Sequence, residues 1–108
     1  MPVLWRPAAL AMLAAAAAVP VARAAPQEHV VLIEGMAFHP AALHVKPGDR
    51  IVWINRDLVP HTATGKAHAF DSGLIAAGAQ WRTTAPRIGT YAYDCAYHPT
   101  MSGTLVVD

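Results

Sequence analysis

The stretch Thr90-Tyr91-Ala92-Tyr93-Asp94-Cys95-Ala96-Tyr97-His98-Pro99-Thr100-Met101 decides how this 108-residue chain folds. Its first half alternates. Tyr91, Tyr93 and Cys95 share one face, while Ala92 and Asp94 share the other, which is the period of a half-buried β-strand. Its second half places a thiol, an imidazole and a thioether at every third position. Ser102-Gly103-Thr104-Leu105-Val106-Val107 then reads as a second strand. The stretch therefore predicts strand, short loop, strand, with Cys95, His98 and Met101 all carried by the loop. Cys95 is the only cysteine of the chain, so no internal disulfide is available to it.

Working outward, the same grammar repeats. His29-Val30-Val31-Leu32-Ile33 is a β-branched run ending at Gly35. Leu43 and Val45 alternate with His44 and Lys46 and are expected to face inward. Pro47-Gly48-Asp49 is a turn signal. Arg50-Ile51-Val52-Trp53-Ile54-Asn55 is nearly continuous in apolar residues, as expected of a strand inside a sheet. Residues 56–60 read as a loop, and His61-Thr62-Ala63-Thr64 as a short β-compatible run. Residues 65–78 are irregular, punctuated by Gly65, Gly73 and Gly78. Residues 79–84 can form a strand that Pro86 stops. No part of residues 25–108 has a helical period. Many short strands with Gly and Pro turns predict an all-β sandwich or barrel.

Residues 1–24 differ from the rest. Arg6 precedes an apolar run over residues 8–19, Pro20 breaks it, and Ala22-Arg23-Ala24 offers small residues at the two positions a signal peptidase reads. We expect a secretory signal peptide over 1–24 and one domain over 25–108. The apolar run is shorter than the ~20 residues of a spanning helix, so no membrane span is expected in the mature form. Arg6 and Arg23 fall in the leader. Six of the eight Lys and Arg then face seven Asp and Glu, a formal charge of −1. With no basic stripe left, nucleic acid is not an expected partner. A lone thiol in an exported protein invites oxidation unless it is buried or coordinated.

Soft sulfur donors combined with imidazole suit copper, and a His₂Cys set with a weak axial Met is the donor set of blue-copper electron-transfer sites. Cys95, His98 and Met101 supply three donors. His61, after Pro60 at the end of a loop that follows the buried strand, is the leading fourth. The bland alternatives are a buried apolar thiol, a core methionine and two loop histidines; the spacing Cys-x-x-His-x-x-Met at a strand junction argues against them jointly. Zinc fits less well, because structural zinc sites take several thiolates or a closed Cys/His set. His29, His39, His44 and His68 are expected on the surface, and Asp94 is expected to be a solvated charge pointing away from the metal.

These residues resemble the cupredoxins, in particular the small amicyanin-type and plastocyanin-like bacterial copper proteins. The likeness is carried by Leu43-His44-Val45-Lys46-Pro47-Gly48-Asp49, by Val52-Trp53-Ile54-Asn55-Arg56, by Pro60-His61, and by Gly89-Thr90-Tyr91 through Cys95, His98, Pro99 and Met101. It covers nearly all of residues 28–108. The short His98–Met101 interval is the amicyanin type. The resemblance implies a Greek-key β-sandwich of about eight strands, with one copper ion held by His61, Cys95, His98 and a longer Met101 contact. It implies a Thr62 N–H bond to the Cys95 sulfur and a loop-fixing role for Asn55. It departs from the family at Asp94, where many relatives carry His, at Thr62, where relatives usually carry Asn, and over residues 65–78.

The function expected is a periplasmic, monomeric one-electron carrier and not an enzyme, since protein donors fill every metal position. Its partners would be a c-type cytochrome or a periplasmic dehydrogenase, reached through an apolar patch of Pro60, Ala96, Tyr97, Pro99 and Met36 around His98. A copper carrier or resistance protein would use the same four residues, but only Met36 and Met101 lie outside the leader, which is poor in methionine for that role. A purely structural interaction module would not need Cys95.

Overall fold

The computed structural model describes residues 25–108 without interruption, together with residues 2–5, 7–9, 11 and 14–16. The expected leader boundary at residues 22–24, and much of the apolar run before it, lie outside the described residues. Among the described residues no helix is long and apolar enough to cross a membrane.

Among the described residues eight strands form in chain order: β1 Glu28–Glu34, β2 Ala37–His39, β3 Ala42–Val45, β4 Arg50–Asn55, β5 Thr64–Gly65, β6 Gln80–Thr84, β7 Gly89–Cys95 and β8 His98–Val107. They make two four-stranded sheets, ordered β2-β1-β4-β6 and β3-β8-β7-β5. The pairs β1–β4 and β3–β8 are parallel and the rest antiparallel. Parallel neighbours need crossovers rather than hairpins, and here the chain makes them by passing between sheets. The all-β sandwich read from the turn signals is the fold observed.

Alternation decides which side chains enter the core. Val31 and Ile33 of β1, Ile51 and Trp53 of β4, Tyr93 and Cys95 of β7, and Leu105 and Val107 of β8 are all essentially inaccessible. As its apolar run predicts, β4 is interior, flanked by β1 and β6. Between the sheets lies an aromatic group. Trp53 packs on Phe70, Trp81 and Tyr93 with centroids 5.5, 5.4 and 5.7 Å apart, and Phe38 meets Tyr93 edge-on at 4.7 Å. Burial pushes the Tyr93 phenol up to about 12.

Three elements differ from the sequence expectation. The three-residue strand β2 was not anticipated; it follows a tight turn in which Gly35 and Met36 both take positive φ (61° and 58°). β8 begins at His98 rather than after Met101, because the ladder resumes with Cys95 opposite His98 after a register shift at Asp94/Cys95. Of residues 61–64, only Thr64 joins β5; His61 makes an isolated bridge to Ile75.

At the end of the sandwich where β3 turns into β4, Asp49 is buried and ties that turn to the N-terminal edge of β1. Its carboxylate meets His29 Nε2 at 2.9 Å and accepts the N–H groups of Lys46 and Gln27, each at 3.0 Å. His29 is thus half-buried and paired, not a free surface histidine. The His29 bond, then the two backbone donors, lower the Asp49 pKa from 3.8 to about 2. A depressed carboxylate stabilises the fold above its unfolded pKa and loses that contribution as pH falls through the folded value. Asp49→Asn is therefore expected to lower Tm at pH 7. The gap to the parent should shrink as pH falls from about 4 and close near pH 2, as followed by thermal melts across that range. A gap independent of pH would contradict this account of Asp49.

Candidate metal centre

Strand β7 delivers Cys95 to the rim of the sandwich with its side chain inward, as the Tyr91/Tyr93/Cys95 alternation requires, and Cys95 is completely buried. Ala96 and Tyr97 make the turn, and His98 opens β8 directly opposite Cys95. Met101 lies three residues further along β8, buried among the core side chains. His61 arrives from the β4–β5 connection and is completely buried too.

The connection that carries His61 is pinned from both sides. Asn55, at the end of β4, is inaccessible. Its Nδ2 donates to the carbonyls of Val59 (2.9 Å) and Ile75 (3.0 Å), and its Oδ1 accepts the Asp57 N–H (3.0 Å). His61 exchanges backbone hydrogen bonds with Ile75 in both directions, at 3.1 and 2.7 Å. Ser72 does the same for Ala63 through its hydroxyl and its N–H, at 2.7 and 3.0 Å. The irregular segment 65–78 therefore serves as a backbone splint for the loop bearing His61, and the loop-fixing role expected of Asn55 is observed.

The donor atoms converge. Cys95 Sγ lies 3.6 Å from His61 Nδ1 and 3.7 Å from His98 Nδ1. The three donors fall within 4.8 Å of one another. An ion bonded to a thiolate at about 2.3 Å and to an imidazole at about 2.1 Å, with an angle near 110°, holds those two atoms about 3.6 Å apart. The separations thus fit a single first-row metal ion, and one thiolate with two imidazoles suits copper.

Around the donors the hydrogen bonds are local and specific. Thr62 N–H points at Cys95 Sγ (3.3 Å), the contact the resemblance implied. Thr62 Oγ1 accepts the Ala96 N–H at 2.8 Å and shares a hydrogen with Thr64 Oγ1 at 2.8 Å. A threonine hydroxyl thus holds the peptide after Cys95. Thr62→Val keeps the shape but removes the acceptor of the Ala96 N–H, which costs ~0.5–1.5 kcal/mol; a urea melt of the metal-free variant should show that loss, and an unchanged midpoint would contradict it. Asp94 does point away from the donors, but it is not a freely solvated charge. Its carboxylate pairs with Lys66 Nζ at 2.6 Å and is largely covered, because β5 lies alongside β7 there.

Sequence reasoning passed over Asp57. Its Oδ2 lies 2.8 Å from His61 Nε2 and accepts the Met36 N–H at 3.0 Å, while its Oδ1 accepts the Gly35 N–H at 2.8 Å. Burial works to raise the Asp57 pKa, but the Met36 donor, the His61 ring and the Gly35 donor together outweigh it and hold it below the usual carboxylate range. The available signal was a carboxylate four residues before a candidate ligand on the same loop.

Residues 27–108 match the model of the family described as copper binding proteins, plastocyanin/azurin family. The chain belongs to that family. This cupredoxin is 36% identical over 85 residues to an amicyanin of Paracoccus denitrificans, a match covering 73% of this chain and 64% of that protein's length. It is 29% identical over 105 residues to amicyanin-alpha of Methylorubrum extorquens, covering 93% and 88% of the two chains. Among solved structures, the Cu(I) form of an amicyanin point mutant superposes with a TM-score of 0.72 at 33% identity, covering 79% of this chain and 86% of that one. An oxidised amicyanin mutant gives 0.71, also at 33%. The amicyanin-type resemblance is thus supported in both sequence and fold.

Proposed function

We propose that this cupredoxin is an exported type 1 blue copper protein that carries single electrons, and that His61, Cys95, His98 and Met101 are the residues that would hold the copper. The observation that carries the reading is the convergence of one buried thiol and two imidazole Nδ1 atoms at metal-bridging separations. When bound, copper supplies the Cu(II)/Cu(I) couple. The chain does the rest. The buried Cys95 and His61 exclude water from the donors, and the backbone splint around His61 and Thr62 restrains the loop that carries them. No bond of a substrate is made or broken, so the protein is read as a carrier and not as an enzyme.

His98 is the half-buried imidazole of the pair and Pro99 beside it is exposed, which suits it as the port for the electron. Around that end, Met36, Val59 and Tyr97 are 43, 42 and 53% exposed, and Pro60 and Ala96 are open too. Leu58, at 96%, extends the expected apolar patch. Weak, short-lived redox encounters use small surfaces of this kind. We read the partner as a c-type cytochrome or a dehydrogenase of the periplasm, met by a monomer. Residues 1–24 are read as the cleaved leader and residues 25–108 as the domain.

The test is a visible spectrum with a redox titration of the copper-loaded protein. An intense thiolate-to-copper band toward the red, bleached reversibly by one electron, supports the reading. A colourless copper complex, or copper handed to an acceptor without cycling, overturns it in favour of simple copper carriage.

A further inference from the structure

We propose that Asp57 is the residue that positions His61 and biases the centre toward Cu(II), acting through the hydrogen bond to His61 Nε2. This rests on the copper reading above and concerns one carboxylate outside the donor set.

The geometry leaves little freedom. Three donors converge on the carboxylate: Gly35 N–H on Oδ1, and Met36 N–H and His61 Nε2 on Oδ2. An ionised carboxylate only accepts hydrogen bonds. The hydrogen between Asp57 and His61 therefore sits on Nε2. That fixes the neutral ring as the tautomer with Nδ1 bare, and Nδ1 is the nitrogen 3.6 Å from Cys95 Sγ. Carboxylates hydrogen-bonded to metal-binding histidines set the tautomer and ring angle and raise the basicity of the donor nitrogen. A more basic donor with a fixed negative charge behind it favours the ion of higher charge. The side chain of Asp57 is only 14% exposed and that of His61 is 0% exposed, so solvent screens this interaction weakly.

The carboxylate is itself oriented from elsewhere. Gly35 and Met36 take left-handed backbone conformations in succession, which turns their two N–H groups toward the same side. Such a pair of amides forms a small anion-binding concavity, and Asp57 fills it. The tight turn between β1 and β2 thus serves as the mount for the carboxylate that holds His61.

The experiment compares the parent, Asp57→Asn, Asp57→Glu and Asp49→Asn. Asp49 is a comparably bonded carboxylate at the opposite end of β4. Copper affinity is measured separately for Cu(II) and Cu(I), and the potential by voltammetry. Asp57→Asn should lose about tenfold in its preference for Cu(II) over Cu(I), which is a rise of about 59 mV for a one-electron couple. Asp57→Glu should recover most of that, and Asp49→Asn should leave the ratio unchanged. A second readout needs no copper. In the metal-free parent, nitrogen-15 NMR should show His61 with a slowly exchanging Nε2–H and a bare Nδ1, and Asp57→Asn should mix the tautomers. A parent without a blue centre would defeat the copper reading, yet the tautomer measurement would still test the positioning role. A blue parent whose potential is the same in Asp57→Asn, or is shifted equally by Asp57→Glu, would overturn this inference. So would a His61 that carries its hydrogen on Nδ1.

Discussion

Cys95→Ser is expected to yield a colourless protein that copper no longer stabilises. The red absorption needs a thiolate donor, and this chain has a single cysteine, so no neighbour can substitute. The serine hydroxyl is a harder, protonated donor and a poor match for copper beside two imidazoles. A ligand that binds only the folded state adds ~4 kcal/mol when present at about 1,000 times its Kd. In a domain of this size that amounts to ~15–30 °C in Tm. The parent should show that gain on copper addition, and the variant should show almost none. The two metal-free proteins should melt within a few degrees of one another, because serine can still accept the Thr62 N–H that now points at sulfur. Paired calorimetric scans with and without copper decide it. A variant that kept most of the copper-induced gain would show that the thiol is not the dominant donor.

The second large effect is expected far from any donor atom, at Gly103. A Cβ placed there would lie 2.4 Å from Tyr93 Cζ, 2.5 Å from its hydroxyl oxygen and 2.9 Å from Cε1. Real contacts of that kind do not occur, so either the ring or the strand must move. The ring has nowhere to go, since Phe38, Trp53 and Phe70 pack on it with centroids 4.7, 5.7 and 5.7 Å away. Gly103 and Tyr93 are direct partners in the β7–β8 ladder, and the aromatic ring covers the gap that the missing side chain leaves. Overpacking costs ~1–3 kcal/mol and sometimes more, and this site belongs at the upper end. Gly103→Ala should lower Tm by ~10–20 °C. It should also disturb the copper spectrum, because Tyr93 and Cys95 ride on the same strand. A melting point within about 3 °C of the parent would mean that the aromatic group yields far more easily than its packing implies.

The sequence carried the donors because their spacing is local. Cys95, His98 and Met101 lie within seven residues, and alternation from Tyr91 sets the direction of the thiol. Strand β4 was legible for a similar reason, since an unbroken apolar run is what a strand inside a sheet requires. The features that were missed depend on distant partners. Asp57 looks like any loop carboxylate until the β1–β2 turn brings Gly35 and Met36 to it. Strand β2 is three residues at a sheet edge, too short to show a period. Asp94 looked solvated because nothing nearby announces Lys66, 28 residues away in the chain. The early start of β8 at His98 comes from a register shift, which alternation within one strand cannot reveal.

The parallel pairing of β3 with β8 bears on how the chain is made. Strand β8 lies between β3 and β7, so an interior strand of one sheet is the last of these eight to be synthesised. Until residues 98–107 emerge, β3 has no neighbour in its sheet and two of the four proposed donors do not yet exist. Pairings between distant segments close late and slowly. Before those residues emerge, the growing chain holds only His61 and Cys95 of the proposed donors. A polypeptide built in this order can pair β2, β1, β4 and β6 early, but its second sheet and its set of proposed donors are completed together, when residues 98–107 join.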